Sequence, residues 1–311
     1  MRVRWGLDEL PELLSARPFL VASDRWSGLI EAVATWSEIP SHRIEVPEGC
    51  DGIVAVGGGS AIDTAKAASA ASGLPLVSVP TTYSGAEWTT FFGVRDPDRR
   101  MKGGGGGAHL AGIVYEPELT LALPRAETVG TALNALAHCA EALYVEGHNP
   151  EADVEALEGA RLIGEWLPQV VERPGDLEAR TGLLRGACHG GAALGKSFLA
   201  LGHAMAQALG GRYGLPHGTM NALCLPPALR FNAEVAPEAV ARFGAALAAT
   251  DPAARVEELG RLGGVERLRD FGVPEDELRQ MAEAVVERAG AKANPRPASA
   301  AEVEDLLRSI W

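Results

Sequence analysis

Cysteine is scarce and scattered: only Cys50, Cys139, Cys188 and Cys224 occur in 311 residues, and none stands in a Cys-x-x-Cys spacing. That argues against a disulfide framework or a thiolate zinc site, and for reduced thiols in the cytoplasm. Clusters of positive charge are missing as well. No run of Lys or Arg exceeds a pair, and 28 Lys and Arg against 41 Asp and Glu leave a formal charge of −13. An acidic chain repels phosphate backbones, so no nucleic acid and no membrane surface is expected as a partner, and a small-molecule substrate is. Long apolar runs are also absent, each being broken well before the roughly 20 residues of a membrane span, and residues 1–8 carry no leader pattern. What is present is an ordinary globular composition, 47% hydrophobic and 22% charged. At roughly 100–200 residues per domain the length suggests two domains.

The first part of the chain alternates short β-rich runs with small-residue helices. Residues 18–22 (PFLVA), 52–56 (GIVAV), 74–79 (LPLVSV) and 113–115 (IVY) read as strands, with an Ala-rich helix over 61–72. Strand, helix, strand in this order implies a parallel sheet. After Pro124 the β-branched runs vanish, and residues 128–145, 150–171, 177–210 and 299–311 show helical spacing. The fold class expected is an α/β nucleotide-binding domain over 1–125 followed by an all-α catalytic domain over 126–311. Five consecutive glycines at 103–107 read as a mobile surface loop, with a lid over a ligand as the alternative.

Residues 51–66 read DGIVAVGGGSAIDTAK: an apolar strand, three glycines, a Ser suited to cap a helix, then the helix. Glycines at the end of a parallel strand remove Cβ atoms that would block a pyrophosphate, and the helix N-terminus offers unpaired N–H donors. A tight turn without a ligand has the same local sequence.

Further segments accompany it: VPTTYSGAEWTT at 79–90, NALAHCAEALY at 134–144, GHAMAQALGGRYGLPHGTMNALCLP at 202–226 and NPRP at 294–297. Together they resemble the iron-containing alcohol dehydrogenase superfamily, with its dehydroquinate synthase-like fold, and within it the maleylacetate reductases. The resemblance implies a nicotinamide-dependent reductase, with cofactor and substrate in a cleft between two domains. It places diphosphate binding on Gly57, Gly58, Gly59 and Ser60, the nicotinamide side on Thr81 and Thr82 with Tyr83 beside them, and an adenosine-side acid on Asp24. Asp63 and Lys102 also match family positions. An acid beside the ribose accepts from its 2′-hydroxyl and repels a 2′-phosphate, so NADH is favoured over NADPH.

Metal-dependent members of the superfamily use one Asp and three His, and the matching positions here read Asn134, His138, His203 and His217. Each histidine taken alone has a structural reading, and three on matching positions favour a functional one. Asn in place of Asp removes the one anionic ligand, so no metal is expected. Zinc or iron on His138, His203 and His217 remains the alternative. Without metal, the imidazoles would polarise the acceptor and supply a proton.

Three departures stand out. Residues 41–46 (SHRIEV) are followed by only five residues before the strand at 52, too few for a crossover, so either they form no strand or the domain is trimmed. Gln207 stands where a further His near the nicotinamide is common. Residues 289–293 (AGAKA) lack the aromatics expected before Asn294. Lys196 and Arg212 are candidate cations for a carboxylate substrate, or solvated surface charges. A bulkier carbonyl substrate, a metal-dependent alcohol dehydrogenase and a non-redox enzyme or binding protein stay open as alternatives. Ala-rich helices make a homodimer the expected assembly.

Overall fold

A computed structural model describes residues 1–311 and divides them into two units, Met1–Ala122 and Leu123–Trp311. In the first, six parallel strands form one sheet: β1 (Arg2–Trp5), β2 (Pro18–Ala22), β3 (Ala34–Trp36), β4 (Gly52–Gly57), β5 (Pro75–Pro80) and, after a separate hairpin, β8 (His109–Tyr115). Their order is β1-β8-β5-β4-β2-β3, so the apolar runs legible in the sequence occupy the centre. The two edge strands, β1 and β3, are short and half-polar.

One helix, α1 (Gly59–Ser72), covers one face of this sheet, packing Ile62, Ala65 and Ala68 on Phe19, Val21, Ile53 and Leu76. No α-helix lies between β2 and β4. Residues 41–46 form no strand; Ile39, Ile44 and Val46 instead press onto the face that α1 covers. The opposite face is closed by Leu10 and Leu13 near the N-terminus and by Trp26, Leu29 and Ile30. Extended chain thus covers apolar area that a crossover helix would cover, which is how the short connection is accommodated.

The glycine run departs from its expectation. Residues 101–105 are a strand, β7 (Met101–Gly105), paired antiparallel with β6 (Phe92–Arg95). Only Gly106 and Gly107 lie beyond it. Ladder hydrogen bonds need no side chain, and a Cβ on Gly105 would lie 2.9 Å from the Phe92 ring. The ring takes the space that bare glycine leaves.

Beneath this hairpin Lys66 of α1 is buried, donating to Asp63 Oδ1 at 3.1 Å, Thr89 Oγ1 at 2.9 Å and the Phe91 carbonyl at 3.0 Å. Asp63 Oδ2 in turn accepts from the Gly93 N–H at 3.2 Å.

The second unit is entirely helical: α2 (Arg125–Ala142), α3 (Pro150–Glu172), α4 (Leu177–Lys196), α5 (Leu201–Tyr213), α6 (His217–Asn232), α7 (Pro237–Ala246), α8 (Pro252–Arg261), α9 (Leu278–Val286), α10 (Ala289–Lys292) and α11 (Ala300–Ser309). Helix α2 is buried almost all round from Ala132 to Ala142, as suits a central helix of small residues. The run at 177–210 splits into α4 and α5. Helix α5 runs on through Gly210 and Gly211, beyond the expected end of that run, and is capped by Gly214. Ser299 and Glu302 form a capping box that starts α11. No helix is long and apolar enough to cross a membrane.

Replacing Lys66 by Met keeps much of its volume but removes three donated bonds and leaves the Asp63 carboxylate without its ammonium partner. The expected loss is about 2–4 kcal/mol, read as a lower denaturation midpoint; an unchanged midpoint would show that the ammonium does not pin the hairpin to α1.

Candidate functional site

The first cluster of site residues lies at the C-terminal ends of neighbouring strands, where open parallel sheets bind ligands. Strand β4 ends at Gly57, Gly58 is the N-cap of α1, and the Thr81 N–H donates to the Gly57 carbonyl at 3.0 Å. This bond sets Thr81 and Thr82 beside the glycine turn. A Cβ on Gly58 would lie 2.8 Å from Thr82 Cγ2 and 3.2 Å from its Oγ1. That Oγ1 is buried and has no hydrogen-bond partner. Ser60 is not the cap: it sits inside the first turn, because the helix starts one residue earlier, at Gly59. The N–H groups of Gly59 and Ser60 have no carbonyl one turn back in their own helix, whereas Ala61 already donates to the Gly58 carbonyl at 3.0 Å. Glycine backbone, free amides and a hydroxyl form a cradle that fits a diphosphate.

Other predicted positions are spread around it. Asp24 is exposed, in a 3-10 turn directly after β2, the strand beside β4. Tyr83 is wholly buried, and its hydroxyl donates to Thr120 Oγ1 at 3.2 Å. Asp63 is engaged by Lys66 and Gly93, as described. Lys102 is largely exposed on the hairpin and pairs with Asp96 at 3.2 Å.

Five residues beyond Thr82, Glu87 is buried, accepting at Oε1 from the Tyr115 hydroxyl at 2.7 Å. Trp88 Nε1 donates to the same hydroxyl at 2.7 Å. Burial pushes the Glu87 carboxyl above its ordinary value, and the Tyr115 hydrogen bond and the Lys66 charge offset this in part.

The second cluster belongs to the helical unit. Asn134 and His138, four residues apart on α2, share one face with Glu141. His203 lies on α5, and His217 is the first residue of α6. The structure brings the imidazoles together: His138 stacks on His203 with ring centroids 4.8 Å apart, and His203 and His217 are 5.8 Å apart at 50°. Burial, then the neighbouring His203 and His217, hold His138 well below the ordinary histidine range, so it is a neutral ring. Gln207 is half-buried one turn beyond His203. The candidate cations are engaged elsewhere, Lys196 with Glu155 at 2.8 Å and Arg212 with Glu277 at 3.1 Å.

Two polar residues of this cluster are absent from the sequence reading. Glu141 is wholly buried and contacts His203 Nδ1 at 2.7 Å. Its signal was its place, seven residues after Asn134 and three after His138. Asn221, four residues after His217, donates from Nδ2 to Asn134 Oδ1 at 2.6 Å and to His217 Nε2 at 3.0 Å. Two of the four positions matching the superfamily's metal ligands therefore share one amide group. The four positions thus hold no carboxylate, the hard anionic donor a divalent iron favours, while three imidazoles alone are a donor set that zinc accepts.

The description Fe-containing alcohol dehydrogenase family, C-terminal, matches residues 128–311, and iron-containing alcohol dehydrogenase matches residues 44–111. The chain belongs to the iron-containing alcohol dehydrogenase family. Among its relatives is a maleylacetate reductase of Burkholderia cepacia, 37% identical over 85% of this chain and 74% of that one. Among solved structures it resembles the maleylacetate reductase of Rhizobium sp. strain MTP-10005, at 28% identity and a TM-score of 0.88, covering 100% of this chain and 95% of that one. A putative alcohol dehydrogenase of Ralstonia eutropha JMP134 matches at 31% identity and a TM-score of 0.90, with 100% and 95% covered. This member of the family is an oxidoreductase, a nicotinamide-dependent reductase akin to the maleylacetate reductases, with the family's fold.

Because its folded value is raised, Glu87 keeps its proton over a range in which the unfolded chain has lost it. Stability is therefore lost as pH rises from the unfolded value of 4.5 toward the folded one. Glu87→Gln, the neutral isostere, should gain on the parent through that window by up to about 1.4 kcal/mol per pH unit. Thermal unfolding of both proteins at a series of pH values checks this; a constant difference would mean that Glu87 is not held protonated.

Proposed function

We propose that this chain reduces a small carbonyl or enoate compound with NADH, without a metal, in the manner of the maleylacetate reductases. The observation that carries the reading is the glycine cradle: a Cβ on Gly58 would fill it, and the Thr82 hydroxyl is buried there without a partner. In this proposal residues 1–125 bind the dinucleotide and residues 126–311 carry the acid–base groups. Gly57, Gly58, Gly59 and Ser60 present backbone N–H groups to the diphosphate, and Thr82 donates to the cofactor from its hydroxyl. Asp24 accepts from the adenosine ribose and disfavours a 2′-phosphate. When bound, the nicotinamide supplies a hydride.

The imidazoles of His138, His203 and His217 hold the acceptor, stabilise charge developing on its oxygen and supply a proton. Asn134 stands in place of an acid, and Asn221, donating to both Asn134 and His217, holds these two side chains in position beside the other imidazoles. Lys196 and Arg212 are paired with glutamates, so neither is assigned to a substrate carboxylate. The assembly proposed is a cytoplasmic homodimer.

Calorimetry on chelator-treated protein tests the cofactor: NADH should bind saturably, NADPH more weakly, and Gly58→Val should abolish both. Absence of binding in the parent protein would end the reductase reading, and equal affinities would remove Asp24 from its role. In turnover assays with maleylacetate and uncharged enones, His203→Ala should lower kcat by about 10²–10⁴-fold. Activity lost with a stoichiometric metal on chelation would overturn the metal-free mechanism.

A further inference from the structure

Three imidazoles in contact can share protons in several patterns, and only a fixed pattern gives a defined donor and acceptor to a ligand. In this cluster two buried side chains reach the nitrogens that decide the pattern. Glu141 accepts at Oε2 from the Ala200 N–H at 2.7 Å and at Oε1 from the His203 N–H at 3.0 Å. With both oxygens already serving as acceptors, the 2.7 Å contact to His203 Nδ1 is one in which the imidazole donates. The close fit depends on Gly202, whose Cβ would stand 2.9 Å from Glu141 Oε1. His203 then has its lone pair on Nε2, a buried nitrogen with no hydrogen-bond partner.

His217 is set from the other nitrogen. The Asn221 amide nitrogen lies 3.0 Å from His217 Nε2, 2.6 Å from Asn134 Oδ1 and 3.3 Å from the His217 carbonyl oxygen. A carbonyl oxygen only accepts, so the amide must face it with its NH2 group. Nε2 of His217 consequently accepts, and a neutral ring must carry its proton on Nδ1.

We propose that Glu141 and Asn221 are positioning residues that set the proton pattern of the cluster: Glu141 holds the His203 proton on Nδ1 and leaves Nε2 as the uncommitted lone pair, while Asn221 engages the Nε2 lone pair of His217. This deepens the reductase reading and rests on it. In the reductive direction Nε2 of His203 would take up a solvent proton and release it to the substrate oxygen, while the hydride that NADH would supply goes to the substrate carbon. The ring ends neutral, and His217 remains a fixed donor throughout.

Tautomers are read directly from two-bond proton–nitrogen correlations on the full-length protein with ¹⁵N-labelled histidine, assigned by single His→Gln variants. The expected spectrum shows His203 and His217 both protonated on Nδ1. Asn221→Asp, which offers only acceptors, should place a proton on Nε2 of His217 and leave the His203 pattern unchanged. Glu141→Gln should lower kcat about 10–100-fold with KM within about threefold, and Glu141→Asp should restore part of the loss.

A parent spectrum with the His217 proton on Nε2, or no change in Asn221→Asp, overturns the assignment, as does a Glu141→Gln enzyme of parental kcat. Should Glu141→Gln fail to fold, the parent spectrum still decides. NADH titration of the same samples keeps the two readings apart: expected tautomers with no NADH binding sink the reductase alone, and bound NADH with wrong tautomers sinks the positioning role alone.

Discussion

A carboxylate that water cannot reach must be met by donors from the protein itself, and in the helical unit that group is Glu141. Its three donors come from the entry to α5: the Ala200 amide, the His203 amide and the His203 ring. Satisfying it therefore draws the start of α5 against the C-terminal end of α2. Asn134 and His138 share that face of α2, so the same bonds bring His203 over His138. Helix α6 completes the arrangement with His217 on its first residue and Asn221 one turn on, whose amide returns to Asn134. The cluster is thus held by polar partners buried with it, which suits a site that must keep its geometry through a reaction.

The sheet unit solves a different problem, that of forming a ligand cradle with little covering structure. A parallel strand ending in glycines needs a neighbour close enough to line the turn, and the bond from Thr81 to Gly57 supplies it. Lys66 fixes the opposite end of that arrangement by tying α1 to the chain that follows the Thr pair. With no α-helix between β2 and β4, this chain lays Ile39, Ile44 and Val46 directly on the core. Burial of apolar area matters there more than the regularity of the segment that buries it.

Much of the fold could be read in the sequence, since central strands such as 52–56 and amphipathic helices such as 150–171 carry their own periodicity. Edge strands could not. Arg2–Trp5 is a strand because Gly112–Tyr115 lies beside it, and nothing within four residues announces a partner so far along the chain. Likewise Met101–Gly105 has the composition of a flexible loop and becomes a strand through its pairing with Phe92–Arg95.

The candidate site divides along the same line. The order of residues alone determined the α/β unit, the helical unit, the glycine turn and the three histidines, because those features rest on local spacing and on residue types that chemistry restricts. Only the tertiary structure decided which groups face one another: that Glu141 meets His203, that Asn221 joins Asn134 to His217, and that Tyr83 and Asp63 are engaged inside their own unit. A hydrogen bond joins atoms brought together by packing over many residues, and its direction depends on what else each atom already serves; neither is encoded in the spacing of a single segment.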